Sequence, residues 1–175
     1  MVLLVVRMKS NTSSSAKREF GIVIHGGAGS LVQRSSKEFG RRKKDLERSA
    51  TSGYAILEAK GSATDAIEAA IRVMEDSGAF NAGKGSCLTL EGEILVDSAI
   101  MNGDLTCGAI GGGNVAQNPI SLARAVMEKS DHVLLVGSDN QGKFAKAICF
   151  PTAPLAPTPL RIEQYRKYKE EAFLV

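Results

Sequence analysis

The sequence predicts an α+β protein in which helices and antiparallel strands form layers. Two observations predict this architecture: a pair of helical patterns over residues 37–60 and 62–76, and two hairpin signals at residues 91–92 and 102–104. Helix pairs that flank a run of antiparallel strands favour layers over alternating β-α-β units. The 175 residues, of which 43% are hydrophobic and 23% charged, are sufficient for a globular core.

The first elements are a strand and the helix pair. Residues 21–25 form a short β-branched run that leads into the glycine loop at residues 26–29, as a buried strand would. The first helix carries apolar residues at helical spacing on one face and lysines and arginines on the other. The second is predicted to begin at Ser62, which stands three residues before Asp65 as in a capping box.

The second half of the chain is predicted to contain a meander followed by helices. The predicted elements are hairpin strands at 86–90 with 93–97 and at 98–101 with 105–110, a helix at 119–128, a buried strand at 133–136, a helix at 142–148 and a last helix at 160–173. The three glycines at 111–113 are predicted to end the meander. Four prolines between 151 and 159 predict an extended connector.

Charge and aromatic content exclude some partners. The net charge is +3, basic residues are interleaved with acidic ones, and only 5% of residues are aromatic with no Trp, so no nucleic-acid partner is expected. The cysteines Cys87, Cys107 and Cys149 have no close spacing, which predicts neither disulfides nor a zinc site but a reduced, cytoplasmic chain.

The amino end is predicted to be a flexible lead-in over residues 1–19, with the domain proper over 20–175. The lead-in is rich in Ser and Lys after its first residues. Its apolar run at residues 2–6 is too short for a signal core or a membrane span, so no membrane partner is expected.

The loop at residues 80–85, Phe80-Asn81-Ala82-Gly83-Lys84-Gly85, is the most function-like stretch. Two glycines two apart permit left-handed dihedral angles, so the backbone can turn its carbonyl groups inward on a small ligand, and Asn81 adds an amide. A tight helix-to-strand connection would use the same residues. The loop at 26–29 lacks the Lys-Ser/Thr of a phosphate loop, and His25 is interpreted as structural.

Several motifs occur together in one order over roughly residues 20 to 170. They are His25-Gly26-Gly27-Ala28-Gly29, Thr64-Asp65-Ala66, the loop at 80–85, Ile100-Met101-Asn102-Gly103, Gly108-Ala109-Ile110 and Asn118-Pro119. In this combination the chain resembles the plant-type L-asparaginase/isoaspartyl peptidase family. Asn102 in place of a common Asp is one departure from the family pattern and is expected to change loop details only.

The resemblance implies a fold and a reaction. Family members are N-terminal-nucleophile hydrolases with an αββα four-layer sandwich, made as a precursor that cuts itself before a Thr. This chain resembles the α subunit, which implies a β subunit that begins with Thr and an (αβ)₂ assembly. The implied reaction is hydrolysis of L-asparagine to L-aspartate and ammonia, and of β-aspartyl dipeptides, with this chain alone inactive. Six threonines of this chain are not expected to be nucleophiles: Thr51, Thr64, Thr89, Thr106, Thr152 and Thr158.

The resemblance also implies site residues. Asn81 would support the active site, and Gly26 and Gly27 would lie near the self-cleavage site. No organic cofactor is implied, but a structural sodium ion is. Its ligands would be main-chain carbonyl oxygens of the second helix end and the loop: Met74, Glu75, Ser77, Phe80, Ala82 and Lys84.

Three alternatives stay open at this point. One is the α part of a protein-cleaving threonine aspartase, although His25-Gly26-Gly27 fits the asparaginases better. A glycosylasparaginase is disfavoured because the Thr-Trp pair expected near the first strand is missing. From another class, the chain would be a truncated, non-catalytic remnant or a binding module.

Overall fold

The computed structural model describes residues 3–6, 20–28 and 36–172 and shows mixed helix and sheet content. The elements are strand β1 (Leu3–Val6), strand β2 (Ile22–His25), helix α1 (Ser36–Glu58), helix α2 (Ala63–Ser77), a 3₁₀ turn (Gly83–Gly85), strand β3 (Val96–Met101), strand β4 (Cys107–Gly113), helix α3 (Pro119–Lys129), strand β5 (Leu134–Val136), helix α4 (Ser138–Ala147) and helix α5 (Pro159–Ala172). The chain divides into two compact units, Met1–Val73 and Met74–Val175.

In the first unit, β1 pairs antiparallel with β2 and α1 packs on β2. Buried residues of α1 recur at helical spacing, namely Leu46, Ala50 and Tyr54. Gly53 lies among them, and a Cβ there would stand less than 3.0 Å from the Ala66 carbonyl oxygen. The small residues therefore let α1 approach its neighbours closely, as the sequence pattern indicates.

The predicted start of α2 is confirmed atom by atom. The Asp65 amide donates to Ser62 Oγ at 3.0 Å, and the Ser62 amide donates back to Asp65 Oδ2 at 3.3 Å. This reciprocal pair is a capping box, with Asp in place of the usual Glu, and it satisfies two amides at the helix start.

The predicted lead-in is described only at β1, and the rest of residues 1–19 lies outside the described residues. Its flexibility stays a prediction. Within the described part of the chain, no helix combines the length and apolar character needed to cross a membrane.

The second unit contains a three-stranded sheet in the order β3-β4-β5. Strands β3 and β4 are antiparallel and joined by the predicted turn at residues 102–104, where the Asn102 amide donates to the Thr106 carbonyl oxygen at 2.8 Å. Hydrogen bonds from the Thr106 hydroxyl and amide to the Asp104 carboxylate lower the pKa of Asp104. The hairpin prediction at this turn is confirmed.

One part of the second unit forms a single β-α-β unit, which the sequence pattern did not indicate. Strand β5 lies parallel to β4, and the connection between them is α3. A parallel pair requires such a crossover, and α3 packs on both β3 and β4. The core between them consists of small and branched residues, among them Ile110, Leu122, Ala123 and Val126.

The strands predicted around residues 91–92 are also corrected. A turn exists there, closed by the Thr89 amide on the Glu93 carbonyl oxygen at 2.8 Å, but residues 86–90 and 93–95 form no strand. Other partners take the polar groups that a ladder would need. The Cys87 amide donates to Asn81 Oδ1, and the Leu90 carbonyl oxygen accepts from the Tyr165 hydroxyl.

Three further features differ from the sequence prediction: the end of β4, the burial of β5 and the start of α4. The glycines at 111–113 lie within β4, which ends at Gly113 and not at the predicted residue 110. A Cβ at Gly113 would collide with the Gln141 side chain. Strand β5 was predicted to be buried, but Leu134 and Val136 are 52% and 56% exposed in this chain. Helix α4 begins at Ser138, four residues before the predicted start.

Gly108 on β4 sets the distance between the sheet and α3. A Cβ at this position would lie less than 3.0 Å from the Met127 amide nitrogen and the Ala123 carbonyl oxygen, both backbone atoms. Because backbone cannot move aside like a side chain, we expect Gly108→Ala to lower the free energy of unfolding by about 1–3 kcal/mol or more, measured by urea denaturation.

The matched control is Gly103→Ala in the exposed turn, where an added Cβ meets nothing within 4 Å. It should change stability by less than about 1 kcal/mol. Equal effects of the two substitutions would contradict the proposed close approach of β4 and α3.

Candidate functional site

The loop that follows α2 is shaped by local hydrogen bonds. Helix α2 ends at Ser77, whose hydroxyl donates to the Met74 carbonyl oxygen at 2.9 Å and accepts from the Ala79 amide at 3.1 Å. Gly78 then takes a positive φ of 66°. Such a residue ends helices because glycine has no steric cost there. The loop thus leaves the helix in a fixed direction.

The two glycines of the loop act differently. Gly83 has a φ of 51°, as the sequence analysis predicts for this pair. Gly85 has no positive φ, but a Cβ there would lie less than 3.0 Å from the carbonyl oxygens of Gly78 and Phe80. Gly85 is therefore required for close approach of backbone, and carbonyl groups crowd around it.

Asn81 lies exposed on this loop and is held through its oxygen. Its Oδ1 accepts the Cys87 amide at 2.8 Å, while its Nδ2 group has no acceptor among the described residues. A small polar cavity of about 190 Å³ adjoins it. The residues lining this cavity are Glu75, Asn81, Ala82, Gly83, Ser86, Leu95, Val96, Asp97 and Pro119. An amide donor therefore remains available at the cavity.

The end of α2 is bonded to the start of α3. Glu75 is 3% exposed, and its Oε1 accepts the Ile120 amide at 3.0 Å. Asp76 Oδ1 accepts the Asn118 side-chain amide, also at 3.0 Å. Asn118 occupies the N-cap position of α3 without making a capping bond itself, so Glu75 caps this helix instead.

The other side of the loop is bonded to α5. Arg161 Nε donates to the Gly85 carbonyl oxygen at 2.6 Å, and its Nη2 donates to the Phe80 carbonyl oxygen at 3.4 Å. Sequence reasoning missed both Glu75 as a cap and Arg161. The Glu75 cap has only a weak sequence signal: an acidic residue near the end of one helix and an Asn-Pro pair at the start of another. The bonds of Arg161 to the loop have no local sequence signal.

Of the six carbonyl groups predicted to bind sodium, at least three accept hydrogen bonds in the described part of the chain. Met74 accepts from Ser77, Phe80 from Arg161, and Ala82 from the Gly85 amide. A carbonyl oxygen has two lone pairs, so these bonds leave room for a cation. The described residues contain no cluster of three or more His, Cys, Asp or Glu side chains placed for a metal.

Gly26 and Gly27 belong to the first unit. Gly27 has a φ of 97°, and its amide donates to His25 Nδ1 at 3.2 Å. His25 thus has a local hydrogen bond that suits the structural interpretation. The predicted position of both glycines near a self-cleavage site stays a prediction.

Comparison with known proteins places the chain in a family. Residues 18–174 match the family model described as asparaginase. The chain belongs to the asparaginase family. It is 45% identical over 152 residues to the plant-type L-asparaginase of Pyrococcus horikoshii and 42% identical over 151 residues to the isoaspartyl peptidase/L-asparaginase of Mus musculus. Each alignment covers 86% of this chain.

The chain spans about half the length of these asparaginase-family relatives, 48% of the first and 45% of the second. A similar share, 42%, holds for the isoaspartyl peptidase/L-asparaginase of Bos taurus, which is 45% identical over 134 residues. The family resemblance read from the motifs is therefore confirmed. The roles of individual residues stay predictions.

The Glu75 cap can be tested by its contribution to stability. In Glu75→Ala the Ile120 amide loses its acceptor while buried, so we expect the free energy of unfolding to fall by about 2 kcal/mol in urea denaturation. Glu75→Gln keeps an acceptor oxygen and should lose less. Glu47→Ala, at an exposed position of α1, is the control. If Glu75→Ala matches that control, Glu75 does not cap α3.

Proposed function

We propose that this chain is the α part of an amidohydrolase that converts L-asparagine to L-aspartate and ammonia and cleaves β-aspartyl dipeptides. The proposal rests on one observation above all: Asn81 presents an amide donor on a glycine loop in a chain of the asparaginase family. The names of the relatives, plant-type L-asparaginase and isoaspartyl peptidase/L-asparaginase, indicate the substrate class.

The nucleophile is proposed to be the first residue of a β part. A Thr hydroxyl attacks the β-amide carbonyl carbon, and the free α-amine of the same Thr takes its proton. Every threonine of this chain stands inside it, with its nitrogen in a peptide bond. An internal threonine therefore has no free α-amine to act as the base.

The reaction then proceeds in two steps, which are release of ammonia to leave an ester and hydrolysis of that ester. The tetrahedral intermediate collapses, its C–N bond breaks, and ammonia leaves with the proton that the amine had taken. Water hydrolyses the resulting ester between Thr and aspartate. Donors for the oxyanion are proposed to lie chiefly in the β part. Asn81 would direct its Nδ2 group toward the nucleophile, with its Oδ1 anchored on the Cys87 amide at 2.8 Å.

A structural sodium ion is proposed for the loop, held by the main-chain carbonyl groups of Met74, Glu75, Ser77, Phe80, Ala82 and Lys84. The crowding of carbonyl oxygens around Gly83 and Gly85 supports this, because oxygen ligands suit a hard cation and make no demand on side-chain type. The ion would hold the loop and would not touch the substrate. Full assembly is proposed to be an (αβ)₂ particle with a four-layer αββα sandwich.

Co-expression tests the proposed activity. The chain would be produced alone and together with the segment encoded downstream of it, and ammonia release from L-asparagine and from a β-aspartyl dipeptide would be measured. We expect hydrolysis only in the mixture, because the nucleophile is contributed in trans. Sedimentation of the co-purified material should give an (αβ)₂ mass. In a choline buffer free of sodium, activity should fall.

Other outcomes favour other functions. Cleavage of an aspartate-containing protein without asparagine hydrolysis would favour a threonine aspartase. No hydrolysis in any mixture, with no Thr-led segment downstream, would leave a non-catalytic remnant or binding module and refute the enzyme proposal. Unchanged activity in choline would refute the sodium proposal alone.

Asn81 can be tested by separating its two polar atoms. Asn81→Asp keeps an oxygen for the Cys87 amide but removes the Nδ2 donor, whereas Asn81→Ala removes both. We expect Asn81→Asp to lower kcat about 100-fold with little change in melting temperature, since one donor near the reacting centre is worth about 3 kcal/mol. Asn81→Ala should lower both quantities. Wild-type kcat in Asn81→Asp would exclude a role for the donor.

A further inference from the structure

Helix α5 is attached to the loop at residues 80–85 by hydrogen bonds. None of its residues is buried, so α5 contributes no side chain to the core. Two of its side chains instead donate to backbone carbonyl oxygens about 75 to 80 positions earlier in the chain: Arg161 to Gly85 and Phe80, and Tyr165 to Leu90. These bonds connect the last helix to residues 80–92.

The Arg161 guanidinium holds both sides of Asn81. Its Nη2 donates to the carbonyl group of Phe80, directly before Asn81, and its Nε donates to that of Gly85, four residues after it. Its Nη1 is oriented by Gln164 Oε1 at 2.8 Å. A planar guanidinium has its donors in fixed directions, so it sets the spacing of the two carbonyl groups as well as binding them.

The loop has few other bonds to the rest of the second unit. Among the described residues, three short-range hydrogen bonds close the loop: the Gly85 amide to the Ala82 carbonyl oxygen, the Ser86 amide to that of Gly83, and the Cys87 amide to Asn81 Oδ1. These bonds close the turn, and the buried Phe80 side chain packs its first residue into the core. Arg161 adds hydrogen bonds to the turn from α5, a distant element of the chain.

We propose that Arg161 is a positioning residue, which acts on the reaction through the loop by fixing the Phe80 and Gly85 carbonyl groups and hence the amide of Asn81. The catalytic part of this inference rests on the proposed function. The structural part, that Arg161 controls the order of residues 79–87, does not depend on it.

Tyr165 provides a matched control on the next turn of the same helix. Its hydroxyl donates to the Leu90 carbonyl oxygen at 2.9 Å, outside the Asn81 segment. Tyr165→Phe therefore removes one α5 bond without touching Phe80 or Gly85. A general loosening of α5 would affect the Arg161 and Tyr165 variants alike. Loss of Asn81 positioning is expected only in the Arg161 variants.

The first measurement is amide hydrogen exchange on the full chain, expressed with its β part, in Arg161→Gln, Arg161→Lys and Tyr165→Phe. We expect Arg161→Gln to speed exchange in peptides covering residues 79–87 about tenfold, the effect of losing bonds worth about 1.4 kcal/mol. Tyr165→Phe should change these peptides less than about twofold. Arg161→Lys should be intermediate, because an ammonium cannot hold both carbonyl groups in one plane.

The second measurement is the hydrolysis of L-asparagine by the same proteins. Arg161→Gln should lower kcat about tenfold with KM within about twofold, Arg161→Lys should recover part of it, and Tyr165→Phe should stay near wild type. Unchanged exchange at residues 79–87, or equal effects of Arg161→Gln and Tyr165→Phe, would overturn the inference. A wild-type protein without activity would refute the proposed function, while the exchange data would still decide whether Arg161 orders the loop.

Discussion

The buried carboxylate of Glu75 is the interaction on which the second unit depends. It reaches from the end of α2 to the Ile120 amide at the start of α3, and α3 in turn covers the sheet through the close approach at Gly108. A carboxyl oxygen that accepts a hydrogen bond at a helix N-terminus satisfies an amide that has no partner within the helix. The loop at residues 80–85 begins five residues after Glu75, and its first residue, Phe80, is buried in the core.

Local features of this fold could be predicted from the sequence because their causes lie within a few residues. The capping box at Ser62 and Asp65, the hairpin at residues 102–104 and the positive φ of Gly83 all follow from side chains or backbone close by. The strand expected at residues 86–90 does not form, because contacts with residues outside the predicted hairpin take its polar groups. These groups bond to Asn81 and to Tyr165, and the latter lies 75 residues further along the chain.

The same distinction applies to the candidate site. Its loop could be located from two glycines and an asparagine, and the family followed from several such short motifs in order. The contacts that hold the loop could not be predicted from the sequence. Glu75 and its partner Ile120 are 45 residues apart, and Arg161 and Phe80 are 81 residues apart. No periodicity or spacing rule connects such positions. The parallel placement of β5 escaped prediction similarly, since a three-residue apolar run does not reveal its pairing direction.

Because α5 has no buried side chains, its free energy of detachment differs from the free energy of unfolding of the core. Core elements such as α3 are expected to open only in large unfolding events, but an element held by a few partly buried or exposed polar bonds can detach at a smaller free-energy cost. Heating would therefore release α5 before the core melts. The ordered form of the glycine loop would be lost at that lower temperature, so a protein that still looks folded by circular dichroism would already have lost the arrangement around Asn81.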